Sequence, residues 1–378
     1  MQKPVNALRV LIKAILFFVI FNLLFAWLNP PLGRLTLYNS IWPGRVRFPY
    51  SELPESYSLD HNAPVIQDFD AMFGAHLLSA APKASGEYRL FLLGDSSTWG
   101  GHVSPEDMLA AQINRLELKT CDGRRIVAYD LGYPWPSQLR DVLFLDYANR
   151  YDPDMVVWLV TLHSFEKKPA DRDFLLPHAD QLYRVIEEHD LVLPKAYADQ
   201  AAATFWDKTI VGQRKRVKNI LLNQVYGLAW AATGVDNANG LSKTHPVFPR
   251  DTVDDTSYFE YRSASDAPAL VRSFMFDVTR VGRDVAGDAP MIVINEPIFI
   301  ASGKNSDKRY NHAYPRWAYD AYRQAFAKWM DKRGYPFYDF WDALPADEFS
   351  NDMAHRDPNG EARFASLLAP ILREFSCP

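Results

Sequence analysis

Two short stretches hold residue types that together make an activated nucleophile. The first is Gly94-Asp95-Ser96-Ser97-Thr98, directly after the apolar run Tyr88–Leu93. That position puts Ser96 in a tight turn from a strand into a helix, where a hydroxyl attacks a carbonyl once a base takes its proton. The second is Asp352-Met-Ala-His355, followed by Pro358 and Gly360 and a closing helical pattern over 361–375. An Asp three residues before a His can accept one imidazole N–H and fix the tautomer, which leaves the other ring nitrogen as the base. A Gly-Asp-Ser alone turns up by accident in roughly one unrelated chain of this length in ten. On bland readings, His355 is a surface-loop histidine and Asp352 a turn cap. The three residues, in that order at the two ends of one α/β pattern, are much harder to obtain by chance.

Positioning them requires a sheet. Apolar runs at 88–93, 126–131, 155–160 and 291–295 read as four strands, with helical stretches at 105–118 and 137–151 between them. Strands apolar on both faces alternating with helices predict a doubly wound α/β fold with a central parallel sheet, whose ligands bind at the C-terminal strand ends. The segment 167–286 reads as a mainly helical insertion. Within it, Arg214-Lys215-Arg216 and Lys218 run into an apolar stretch to Trp230, either a solvated helix start or a helix lying on a bilayer. The span 251–262 reads as a polar loop.

The 378 residues carry 41 Lys+Arg against 46 Asp+Glu, a net charge of −5, so the chain lacks the basic field of a nucleic-acid binder. No phosphate loop, dinucleotide fingerprint or paired metal spacing among the nine histidines is present, and no cofactor or metal is expected. Residues 10–29 read as a transmembrane signal anchor: 14–33 carries no charge, and Lys3, Arg9 and Lys13 precede or open the run. Those charges predict a cytoplasmic N-terminus (1–9) and an extracytoplasmic remainder, periplasmic or at the cell surface. A cleaved signal peptide is the alternative, but Asn29-Pro30-Pro31 is a poor cleavage site. Residues 30–85 read as an extended stalk and N-terminal segment, and 86–378 as the domain. Cys121 and Cys377 either form one bridge in an oxidising compartment or remain two free thiols.

The motifs resemble those of the SGNH (GDSL) superfamily of serine esterases and acyltransferases over about 88–375. Gly94-Asp95-Ser96 matches its first block and Asp352 with His355 its last. The resemblance implies a three-layer fold, the catalytic set Ser96, Asp352 and His355, and an oxyanion glycine at Gly132. Its Gly-x-Asn-Asp block falls on Thr161-Leu162-His163-Ser164 and departs from the pattern. There His163 either substitutes for the asparagine donor or packs beside the sheet. Asn295 and Glu296, ending the fourth strand, either line the acceptor side or are a strand-end cap and a loop carboxylate. The layout, an anchor before an exported domain, is similar to bacterial proteins that acylate envelope polymers, such as the D-alanine transfer and alginate O-acetylation proteins. It implies an acylated glycan, polymer or lipid as substrate, and a multispanning membrane O-acyltransferase as partner. A plain acetyl or lipid-ester hydrolase, and a non-catalytic polymer-binding scaffold, are the competing readings.

Overall fold

The computed structural model describes residues 6–37, 44–48, 68–134, 136–166, 175, 178–193, 204–233, 263–351 and 353–377, with the side chains at 223, 226, 230 and 231 excepted. Five strands, β1 (Glu87–Leu93), β2 (Arg125–Asp130), β3 (Met155–Val160), β4 (Met291–Asn295) and β5 (Phe337–Asp339), form one all-parallel sheet in the order β2-β1-β3-β4-β5. The fold is α/β, doubly wound, as the alternation of apolar strands and helices requires. Among the described residues its α-helices of seven residues or more are α1 (Ala7–Leu28), α2 (Phe69–Ala75), α3 (Leu109–Arg115), α4 (Gln138–Ala148), α5 (Ala179–Glu188), α6 (Arg214–Thr233), α7 (Ala267–Ser273), α8 (Asp277–Ala286), α9 (Arg316–Asp331) and α10 (Pro358–Phe375).

The central strands β1, β3 and β4 are buried along their whole length, and alternate side chains feed two cores. Phe91, Leu93, Val156, Trp158, Val160 and Val293 pack against α2, α4, α8 and α9. Leu90, Leu92, Val157, Leu159, Ile292 and Ile294 pack against α3 and α10 on the other face. This is the period-2 geometry of a strand covered on both sides, and it makes three layers. Gly282 of α8 lets that helix sit on the sheet, since a Cβ there would come 2.4 Å from the Trp158 ring.

Two predicted boundaries change. Phe48, expected in the extended stalk, and Phe69, Met72 and Phe73 of α2 are fully or almost fully buried in the first core, where Phe48, Phe69 and Phe73 ring-pack with Phe144. The ring area of Phe48 outweighs the Pro- and Ser-rich setting that suggested an extended segment there. Helix α8, placed in the insertion, covers the sheet beside α4 and is part of the fold itself. The expected loop at 251–262 lies outside the described residues.

One disulfide joins Cys121, before β2, to Cys377, after α10, with Cα atoms 5.2 Å apart and a sequence separation of 256. Helix α1 is 22 residues long, reaches a mean hydropathy of 2.4, and is long and apolar enough to cross a membrane. Among its described residues only Asn22 and Ala26 are buried.

Candidate active site

Strand β1 lies between β2 and β3, where the chain's winding reverses, and its C-terminal end opens the crevice at which such sheets bind ligands. The turn after β1 is close-packed. A Cβ on Gly94 would lie 2.1 Å from Thr98 Oγ1 and 3.1 Å from the Leu159 carbonyl, so the sharp exit needs glycine. Asp95 braces the turn through its side chain, which accepts from the Ser97 amide at 2.9 Å, and its carbonyl, which accepts from the Trp99 amide at 2.9 Å. The buried Arg47 lies 4.1 Å over the Trp99 ring and donates to the Gly100 carbonyl at 3.2 Å.

Ser96 is half-buried, and its Oγ lies 2.7 Å from His355 Nε2, 259 positions away in sequence. The loop before α10 fixes that imidazole. Asn351 Oδ1 accepts from the amides of Met353 (3.1 Å), Ala354 (3.3 Å) and His355 (3.1 Å). With its oxygen so committed, the Asn351 carboxamide turns Nδ2 toward His355 Nδ1, at 2.8 Å. For Nε2 to act as base toward Ser96, the ring proton must sit on Nδ1 and find an acceptor there. The acceptor expected from sequence, Asp352, lies outside the described residues. His102 packs its ring at 4.3 Å from His355, and its Nδ1 lies 3.1 Å from Ser350 Oγ. Its backbone is left-handed at φ 73°, a conformation of the kind that clusters at functional sites. Gly101 passes so near that a Cβ there would stand 3.3 Å from His355 Nε2.

Behind Ser96 lies a buried ionic cluster. Arg356, the residue after His355, bonds Glu296 at 2.9 Å and Glu361 at 3.1 Å, and donates to the Ser97 carbonyl at 3.2 Å. The Ser97 hydroxyl donates to the same Glu296 carboxylate. All three charged side chains are essentially without solvent exposure. Burial, with Asp95 nearby, pushes the Glu296 carboxyl up to about 8 against the pull of Arg356, and burial also raises Glu361. One guanidinium balances one carboxylate, so the dry cluster is neutral when the other acid keeps its proton.

Three expectations are corrected. Glu296 does not line an acceptor side: it is 1% exposed and ties the Ser96 turn to the His355 loop. Asn295 is fully buried, donates to Asp339 at 2.7 Å, and accepts from the Tyr319 and Tyr322 hydroxyls. The Gly132 amide is already given, at 2.7 Å, to Asp130, whose carboxyl burial raises well above its ordinary value. Gly132 has a packing reason instead, since a Cβ would stand 2.5 Å from the Trp99 amide and 2.8 Å from Thr98 Cβ. His163, beyond β3, holds Nδ1 2.6 Å from Glu166 and rests its ring 4.9 Å from that of Tyr314. The Ser96 amide has no hydrogen-bond partner among the described residues. Among those residues, no group of three His, Cys, Asp or Glu side chains is placed to hold a metal ion.

No protein-family model matches the chain, and no curated protein does. Solved structures similar to it include a family two carbohydrate esterase from Cellvibrio japonicus, with 10% identity over 76% of this chain and 61% of that one, TM-score 0.33. Others are a carbohydrate acetylesterase family member from Sinorhizobium meliloti, at 10% over 76% and 98%, TM-score 0.33, and the native aryl esterase of M. smegmatis, at 13% over 76% and 99%, TM-score 0.32. Likeness this distant assigns no substrate.

Proposed function

We propose that this protein is a membrane-anchored, extracytoplasmic SGNH-type serine esterase or O-acyltransferase. The observation that carries the reading is the 2.7 Å approach of Ser96 Oγ to His355 Nε2 at the C-terminal edge of the sheet. In the reaction, His355 takes the hydroxyl proton as Ser96 Oγ bonds to an ester carbonyl carbon. The carbonyl oxygen becomes an oxyanion facing the Ser96 amide. Collapse expels the alcohol, which leaves with the proton from His355, and an acyl-Ser96 remains. Water then gives the acid, whereas a sugar or polyol hydroxyl gives the transferred ester. Asp352 is assigned to hold the Nδ1 proton and His163 to add an oxyanion donor.

Helix α1 supports the anchor, and the Cys121–Cys377 bridge supports an oxidising, exported compartment. The substrate in this reading is an acylated envelope glycan, polymer or lipid, and the partner a multispanning membrane O-acyltransferase. The engaged Gly132 amide favours one competing reading, a polymer-binding scaffold of the same fold. Fluorophosphonate labelling of the detergent-solubilised full chain separates them. Labelling that disappears in Ser96→Ala and in His355→Ala establishes the activated serine. A folded wild type that never labels sinks the catalytic reading. With a labelled enzyme in hand, release of acid in the absence of any acceptor marks a hydrolase.

A further inference from the structure

We infer that the segment 204–225 is a second membrane attachment, which dips beside α1 into the extracytoplasmic leaflet of a phospholipid bilayer. The inference rests on α1 being the anchor proposed above. The amide of Val211 donates to Asn22 Oδ1 at 3.3 Å, and the turn Trp206–Lys208 packs on α1. Asn22 lies six residues before the end of α1 at Leu28, about 9 Å along its axis at the helical rise of about 1.5 Å per residue. From Val10, where the anchor begins, to Leu28 that rise covers about 27 Å of a hydrocarbon core of roughly 30 Å, so Leu28 cannot stand far above the apolar zone. Whatever packs at Asn22 is therefore carried below the level of the lipid headgroups.

The segment's own chemistry fits that depth. Phe205 and Trp206 are 50% and 73% exposed, and Leu221 and Val225, one turn apart on α6, are 63% and 69% exposed. An aqueous surface gives such a patch nothing to bury against, whereas an interface accepts Trp and apolar side chains. Irregular backbone is tolerated near hydrocarbon only when its polar groups are satisfied. The amides of Asp207, Lys208 and Thr209 bond to the carbonyls of Thr204, Phe205 and Trp206, and that of Gln213 to Thr209. The Gly212 amide bonds Thr209 Oγ1, and Asn22 takes the Val211 amide. Asn22, a polar residue inside an apolar helix, closes its own account by donating to the Phe18 carbonyl at 2.9 Å. Lys218, exposed on the α6 face that carries Leu221 and Val225, is placed to meet anionic headgroups.

The full chain, reconstituted in vesicles of phosphatidylcholine and phosphatidylglycerol, tests this. A single cysteine is labelled with an environment-sensitive fluorophore, at Val211→Cys, Val225→Cys, Val19→Cys within α1, or Leu116→Cys on the far side of the domain. Quenching by brominated lipids is then read. The expected result is loss of emission at 211 and 225 comparable to that at 19, with none at 116. Quenching at 19 alone, with 211 and 225 behaving like 116, overturns the inference and leaves the anchor standing. No quenching at 19 overturns the anchor, and the depth argument falls with it.

Discussion

Replacing Arg356 with Met tests whether the buried cluster holds Ser96 to His355. The substitution keeps an unbranched stem but removes the guanidinium that reaches Glu296 at 2.9 Å, Glu361 at 3.1 Å and the Ser97 carbonyl at 3.2 Å. Two carboxyls are left in a site without solvent, and breaking a buried pair from one side costs roughly 3–5 kcal/mol. The orphaned acids can escape by taking up protons, so the loss should be largest near pH 8 and smaller near pH 5. The labelling rate is affected separately, because Ser97, next to Ser96, loses the bond from Arg356 to its carbonyl. A displacement of about 1 Å at a reacting group can cost about 10²-fold in rate. Urea unfolding at the two pH values measures the first effect, and the second-order rate of fluorophosphonate labelling the second. In the double variant with Glu296→Gln the stability losses should not add, since both changes act on one network. An Arg356→Met protein within about 1 kcal/mol of wild type at pH 8, labelling at the wild-type rate, would refute the clamp.

Three further outcomes follow from the same geometry. Glu296 binds a proton in the fold up to about pH 8 but releases it near 4.5 when unfolded. The unfolded state therefore binds fewer protons across that window, and stability contributed by this group falls as pH rises through it, by at most about 1.4 kcal/mol per unit. Glu296→Gln should flatten that slope in paired unfolding curves at pH 5 and 8, and an unchanged slope would assign the titration elsewhere. Gly101→Ala places a methyl 3.3 Å from His355 Nε2 and 2.9 Å from the Ser96 carbonyl. Its labelling rate should fall at least about tenfold with little change in melting temperature, and a wild-type rate would mean the turn relaxes freely. Cys121→Ser with Cys377→Ser removes a cross-link across 256 positions and should lower stability by up to about 5 kcal/mol, measured against the wild type under non-reducing conditions.

The strands were readable because the central ones are dominated by apolar residues, broken in β1 only by Glu87 and Arg89 and in β4 only by the terminal Asn295, and the β3 and β4 boundaries agree with the pattern residue for residue. Strand β5 has no such signature, because three residues, two half-buried and one exposed, carry no period. Ser96 and His355 announce themselves through local motifs, each set by a tight turn that only certain residues allow. The residues supporting them do not. Nothing in Arg356 or Glu361 as letters says that the charge is dry, since burial comes from α10 lying on the sheet. Gly132 shows the converse: its glycine was visible, but the reason, the Trp99 amide passing where a side chain would start, belongs to tertiary packing. Asn351, beside the motif, is an amide with no charge to mark it, although its carboxamide lies 2.8 Å from His355 Nδ1.

Helix α10 can be regarded as a strut. Its first turn follows the His355 loop, and its last is bolted through Cys377 to the chain ahead of β2, at the opposite pole of the sheet. Its 18 residues span about 27 Å, so a tilt of only about 5° pivoting at the far end would sweep the near end through roughly 2 Å. That is enough to part a hydrogen bond of 2.7 Å between Ser96 and His355. The bridge fixes the far end of the helix whose near end follows the His355 loop, so one cross-link between distant stretches of chain braces the frame on which Ser96 and His355 meet.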